Sequence, residues 1–231
     1  MLNNKVDVTG HHLIKQGESV GYIALEESVK RTALGIMSID VQKPLHLDRK
    51  IIDDDTFKNS FSSTVGSGLL YLYDSFGSTE SENLLSKIRY LAKGLGVRWV
   101  ILDHLSIVVS GLETYDERKL IDITMTRLRS LVEETGIGLI LVSHLRRPEG
   151  NKGYEDGVQT SLNALRGSQA ISQLADCVIG LERDQNDDEN KKFTTVRVLK
   201  NRHVGDTGKC GTLFFNEDTA CLLETKERND F

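Results

Sequence analysis

Hydrophobic positions fall into two patterns along this 231-residue chain. Continuous apolar or aromatic runs occupy Val20 to Leu25, Leu69 to Tyr73, Val97 to Leu102 and Ile137 to Val142. Between them the apolar residues recur at helical spacing: Val29, Ala33, Ile36 and Met37; then Leu84, Leu85, Ile88, Leu91, Ala92 and Leu95; then Ile121, Met125, Leu128 and Val132. Ser28 is a predicted N-cap, Thr79 with Glu82 a predicted capping box, and Gly96 a predicted helix stop. Runs that are apolar on every position suit parallel strands buried on both faces. Their alternation with helices predicts a doubly wound α/β fold, with a mainly parallel sheet and helices on both faces.

The flanking segments carry weaker patterns. Residues 1–10 are poorly defined, with a short strand expected at Lys5 to Thr9. His11 to Gln16 read as the last turns of a helix ending at Gly17. Pro44 to Ser63 reads as a polar surface insertion with one short helix. Beyond His144 come a polar loop (Leu145 to Ser161), a short helix near Ser168 to Leu174, and strands at Cys177 to Leu181 and Phe193 to Leu199. A hairpin is predicted from Gly211 to Phe215 and Ala220 to Leu223. The expected organisation is a single domain over residues 11–224 followed by a tail, 225–231.

Composition narrows the classes. With 39% hydrophobic and 27% charged residues, the chain reads as a soluble globular domain. No apolar run approaches membrane-spanning length, so neither a membrane nor a secreted setting is expected. Three cysteines without metal-ligand spacing read as reduced thiols in the cytoplasm. A net charge of -5 argues against a uniformly basic nucleic-acid binder but leaves room for a local basic loop.

Several residues have chemistry at the positions where such folds bind ligands, beyond the carboxyl ends of the strands. Asp103 ends an apolar strand and can hold Mg²⁺ through water; such an Asp also commonly just turns the chain. Glu26 ends another strand and can act as a general base, with Glu27 competing for the role and a helix-start carboxylate as the plainer reading. His144 ends a third strand, where a structural role is the alternative. Arg146, Arg147 and Lys152 form a basic loop suited to nucleic-acid phosphates or simply to solvent. Arg166-Gly167-Ser168 opens a helix, and Lys200-Asn201-Arg202 ends a strand before a glycine turn.

Taken together, Ile23-Ala-Leu-Glu-Glu-Ser28, Leu72-Tyr-Asp-Ser-Phe76, Val100-Ile-Leu-Asp-His-Leu-Ser-Ile-Val-Val109, Asp116-Glu-Arg-Lys119, Leu141-Val-Ser-His-Leu145, Leu165-Arg-Gly-Ser168, Leu181-Glu-Arg183 and Leu199-Lys-Asn-Arg202 resemble a known family. It is the C-terminal motor domain of phage replicative primase-helicases, within the ring helicases that include Twinkle and the DnaB type. The resemblance implies a RecA-like fold that hydrolyses ATP or another NTP with Mg²⁺. It implies a homo-oligomeric ring, a hexamer, moving 5′ to 3′ on single-stranded DNA, with primase and DNA polymerase as partners in the cytoplasm of a phage host. By position, Glu26 is then the catalytic base, Asp103 the Mg²⁺-linked carboxylate and His144 the γ-phosphate sensor. Arg202, with Lys200, is the finger reaching a neighbour's nucleotide, and Arg183 a further nucleotide contact. Arg146, Arg147, Lys152, Arg166 and Gly167 are the DNA-binding set. The tail, ending in Phe231, is similar to tails that dock a polymerase.

One motif breaks the pattern. The family's phosphate loop, G-x-x-x-x-G-K-[ST], is absent: in Gly205-Asp-Thr-Gly208-Lys209 the required first glycine is His203, and Cys210 follows the lysine. The expectation is an N-terminally truncated domain whose phosphate loop sits on a separate polypeptide or missing segment, and which alone hydrolyses little. The strand leading into that loop is expected beside the strand ending at Asp103, leaving that central strand unpaired. Two rivals remain: a RecA-type recombination or repair ATPase, and a non-catalytic DNA-binding or ring subunit.

Overall fold

The computed structural model describes residues 2–74, 81–105, 117–148, 150, 152–165 and 169–225. Two compact units divide the chain: Met1–Ser143 with Asp218–Cys221, and His144–Glu217 with Leu222–Phe231.

The first unit is built on four parallel strands: β1 (Val20–Ala24), β2 (Leu70–Tyr73), β3 (Trp99–Asp103) and β4 (Gly138–Leu141), in the order β2-β1-β3-β4. Around them lie α1 (Leu2–Lys15), α2 (Val29–Val41), α3 (Asp54–Ser63), α4 (Ser81–Leu95) and α5 (Glu117–Thr135). Side chains alternate across a strand, and β1 shows which helices cover which face. Gly10 of α1 lies against Tyr22 and Ile101, whereas Gly21 faces Leu91 of α4 and Val97. Helices therefore cover both faces, as predicted. Val20, Ile23, Val100, Ile101 and Leu102 are fully buried between the layers. Ser28 caps α2 by accepting from the Arg31 N–H, and Gly96 and Gly136 follow α4 and α5 with φ of +67° and +72°, a region open to glycine.

Two expectations are corrected. Residues 5–9 are not a strand: the whole of Leu2–Lys15 is helical, with Val6, Leu13 and Ile14 buried in the core. The strand ending at Asp103 is not unpaired either. It is flanked by β1 and β4 along its length, and β2 and β4 are the edges of this sheet. The polar insertion contains a 3₁₀ turn (Arg49–Ile51) and α3. Asp40 of α2 joins three helices, lying 3.3 Å from His11 and 2.7 Å from Lys15 of α1 and accepting from Ser63 of α3. The Thr79 and Glu82 capping box lies outside the described residues and side chains.

The second unit is antiparallel. Strands β5 (Cys177–Glu182), β6 (Phe193–Asn201), β7 (Gly208–Asn216) and β8 (Cys221–Thr225) pair in sequence order, after the six-residue helix α6 (Gln169–Leu174). Bulges interrupt the register at Val178/Ile179 and at Val196/Arg197, where an extra residue twists the ladder.

Candidate active site

The register of the parallel sheet brings two predicted carboxylates together. Ala24 pairs with Asp103, and the Leu25 N–H donates to the Asp103 carbonyl at 2.7 Å, which draws the chain past β1 alongside the end of β3. Glu26 follows immediately and is exposed, while Asp103 is 6% exposed. The next residue, His104, is also buried, and its Nε2 stands 3.6 Å from Glu26 Oε1. Glu27 is differently engaged: its Oε1 accepts from Arg31 Nε at 2.9 Å, one turn along the chain. An acid committed to a guanidinium is a poor proton acceptor, so the geometry favours Glu26 over Glu27 as the base. Sequence reasoning missed His104, although its place after a strand-end Asp was visible.

The fit of Mg²⁺ rests on the donor type. Asp103 offers hard oxygen ligands at the carboxyl end of a buried strand, as Mg²⁺ requires, and a single carboxylate with retained waters is an ordinary Mg²⁺ arrangement. His144 is half-buried and is the first residue of the second unit.

Within the second unit the basic loop is closed at its base. Leu145 bridges Leu165, and the Arg146 N–H donates to the Ala164 carbonyl at 2.8 Å. Further along, Asp156 bridges Asp184 and the Gln185 N–H donates to the Glu155 carbonyl at 2.7 Å. The last part of the loop is held by Glu182, whose Oε1 accepts from both the N–H and hydroxyl of Thr160 at 2.8 Å. Arg146, Arg147 and Lys152 are exposed on this anchored loop. Arg166 and Gly167 lie outside the described residues.

The strand-end cations are tied down. Lys200 Nζ donates to the Ser172 and Gln173 carbonyls at 2.6 and 3.1 Å, and Arg202 donates to the Gln173 carbonyl at 2.7 Å and pairs with Asp176 at 2.9 Å. Both thus satisfy carbonyls at the C-terminal end of α6, where a helix leaves acceptors open. Arg183 is partly buried, donating from Nε to the Lys191 carbonyl at 2.5 Å.

The DnaB-like helicase C-terminal domain family matches residues 5–221, nearly the whole chain. The chain belongs to that family. It is similar to the DNA helicase/primase of Enterobacteria phage T3, 40% identical over 212 residues, covering 90% of this chain but 37% of the phage protein. Among solved structures it resembles an isolated ATPase domain, with a TM-score of 0.77 at 20% identity, covering 97% of this chain and 81% of that one. A DnaB-like replicative helicase solved with regard to its interactions with primase gives a TM-score of 0.75 at 18% identity, covering 94% of this chain and 53% of that one. These likenesses establish the RecA-like α/β fold of the helicase ATPase domains. The chain spans little more than a third of the length of its phage T3 relative.

Proposed function

We propose that this chain is the motor domain of a ring-forming replicative DNA helicase, coupling hydrolysis of ATP or another NTP to 5′-to-3′ movement along single-stranded DNA. The observation that carries the reading is the placement of Glu26 beside Asp103 at the ends of adjacent parallel strands. In this reading Glu26 accepts the proton of the attacking water, and Asp103 holds the hydrated Mg²⁺, which neutralises phosphate charge. His144 senses the γ-phosphate at the start of the unit that bears the basic loop. Arg202 and Lys200 leave the α6 carbonyls to meet a neighbouring subunit's nucleotide, and Arg183 assists. A hexameric ring, primase and polymerase partners, and the cytoplasm of a phage host complete the proposal. No helix among the described residues is long and apolar enough to cross a membrane.

The sequence lacks G-x-x-x-x-G-K-[ST], so the phosphates are to be cradled by a phosphate-loop segment on a longer or separate polypeptide. The chain alone is expected to hydrolyse NTP only at background rate. Joined to or mixed with a phosphate-loop segment of a relative, it should gain hydrolysis stimulated by single-stranded DNA and should open a forked duplex with a 5′ tail. Stimulated hydrolysis without strand separation would favour a recombination-type ATPase. DNA binding with no hydrolysis in any combination would favour a non-catalytic ring subunit.

The loop assignment has its own test. If Arg146 and Arg147 grip phosphates, each change to Ala should weaken binding to oligothymidylate and reduce the steepness of log K against log salt by about 0.7 for a single-stranded site. Fluorescence anisotropy across a salt series measures this; an unchanged slope in the double variant would remove both residues from the DNA-binding set.

A further inference from the structure

Helix α1 carries a carboxyl group on its buried face. Asp7 is 5% exposed, and its Oδ1 accepts from the Tyr22 hydroxyl at 2.9 Å; Tyr22, on β1, is itself buried. The second oxygen lies against Gly35 of α2, where a Cβ would overlap Asp7 Oδ2. Glycine at position 35 therefore makes room for the carboxyl group between α1 and α2. Three elements meet at this one polar group, inside an otherwise apolar layer formed by Val6, Leu13, Ile14, Ile36 and Ile101.

We propose that Asp7 and Tyr22 form a proton-dependent latch that seats α1 on β1 and α2, next to the strand ends carrying the candidate carboxylates. The groups facing Asp7 are Tyr22 from β1, Glu27 and Arg31 from the start of α2, and Asp103 from the end of β3. Burial dominates and pushes the Asp7 carboxyl up to about 7; the Tyr22 hydrogen bond pulls it down, Glu27 and Asp103 push it up, and Arg31 pulls it down. Burial, and then Asp7 itself, push the Tyr22 hydroxyl up, so it remains a neutral donor. The protonated acid fits this site because it accepts from Tyr22 without placing a third negative charge near Glu27 and Asp103. The ionised form leaves a buried carboxylate among acids, and the seat of α1 bears the cost.

The sign of the pH effect follows from linkage. Asp7 binds its proton more tightly in the folded chain, at about 7, than in the unfolded chain, at 3.8. Its contribution to stability is complete below the lower value and is lost as pH rises through the upper one. Between about pH 5 and pH 7 the unfolding constant should therefore rise up to about tenfold per pH unit from this group, levelling above about pH 8.

Urea unfolding of the full chain at closely spaced pH values, for wild type and Asp7→Asn, tests this. The difference between the two curves isolates Asp7, since the histidines titrate in both. The expected result is a dependence present in wild type and absent in the variant; parallel curves would overturn the latch. Should Asp7→Asn fail to fold, ¹³C carboxyl NMR of wild type and Tyr22→Phe gives the answer directly. An Asp7 midpoint near neutrality, moving higher when the Tyr22 donor is removed, supports the proposal, and a midpoint below pH 5 overturns it.

Discussion

Glu26→Gln should lower NTP hydrolysis by about 10²- to 10⁴-fold once the chain is combined with a phosphate-loop segment, the range expected when a general base is removed. That loss equals about 2.7 to 5.5 kcal/mol of barrier. Glutamine keeps the shape of the side chain and its position beside the end of β3, so KM for the nucleotide should move little while kcat collapses. Glu27→Gln is the matched control. It removes the pairing with Arg31 across one helical turn, an interaction contributing only about 0.3–0.5 kcal/mol at such exposure, and should leave kcat within about twofold. Steady-state phosphate release at saturating NTP separates the two. A fully active Glu26→Gln beside an inactive Glu27→Gln would transfer the base to Glu27; normal activity in both would remove the strand-end carboxylate reading altogether.

The same pair of residues shows what was legible in the sequence. The four parallel strands were visible because burial on both faces demands unbroken apolar runs, and their ends fall within two residues of the predicted ones. Sequence position alone placed Glu26 and Asp103 at strand ends. It did not distinguish Glu26 from Glu27, because the Arg31 pairing that separates them depends on where α2 begins. Strand order was not legible either: β3 has partners on both sides through contacts between segments dozens of residues apart, which local pattern does not encode.

Helix α1 was misread for a definite reason. Lys5-Val6-Asp7-Val8-Thr9 alternates polar and β-branched residues, which is the local signature of a strand. The helix prevails because it buries Val6, Leu13 and Ile14 on one side and gives Asp7 a donor in Tyr22. Tertiary packing there outweighs local propensity. Likewise Lys200 and Arg202 were legible as cations at a strand end, but their attachment to the α6 carbonyls was not.

Glu182→Ala should destabilise the second unit by about 3–5 kcal/mol, the range for breaking a buried ion pair by removing one partner. The Glu182 side chain is 9% exposed, and Arg197 pairs with it through Nε at 2.7 Å and Nη2 at 3.0 Å, the two-point geometry that makes such pairs strong. Thr160 adds two donors, reaching the carboxylate because Gly180 leaves room where a Cβ would overlap the Thr160 hydroxyl. Burial pushes the Glu182 carboxyl up, but Arg197 and Thr160 outweigh it and hold the group below its ordinary value of 4.5. Its stabilisation is accordingly present above about pH 4.5 and fades as pH falls further. Urea unfolding at pH 7 measures the loss, and Glu182→Gln, which keeps an acceptor but not the charge, should lose less. Because Thr160 ends the loop that begins at Arg146, Glu182→Ala should also speed proteolytic cleavage within residues 146–164 while β5 to β7 still pair. A variant with wild-type stability and an equally protected loop would show that the basic loop is held by the Leu145–Leu165 bridge alone.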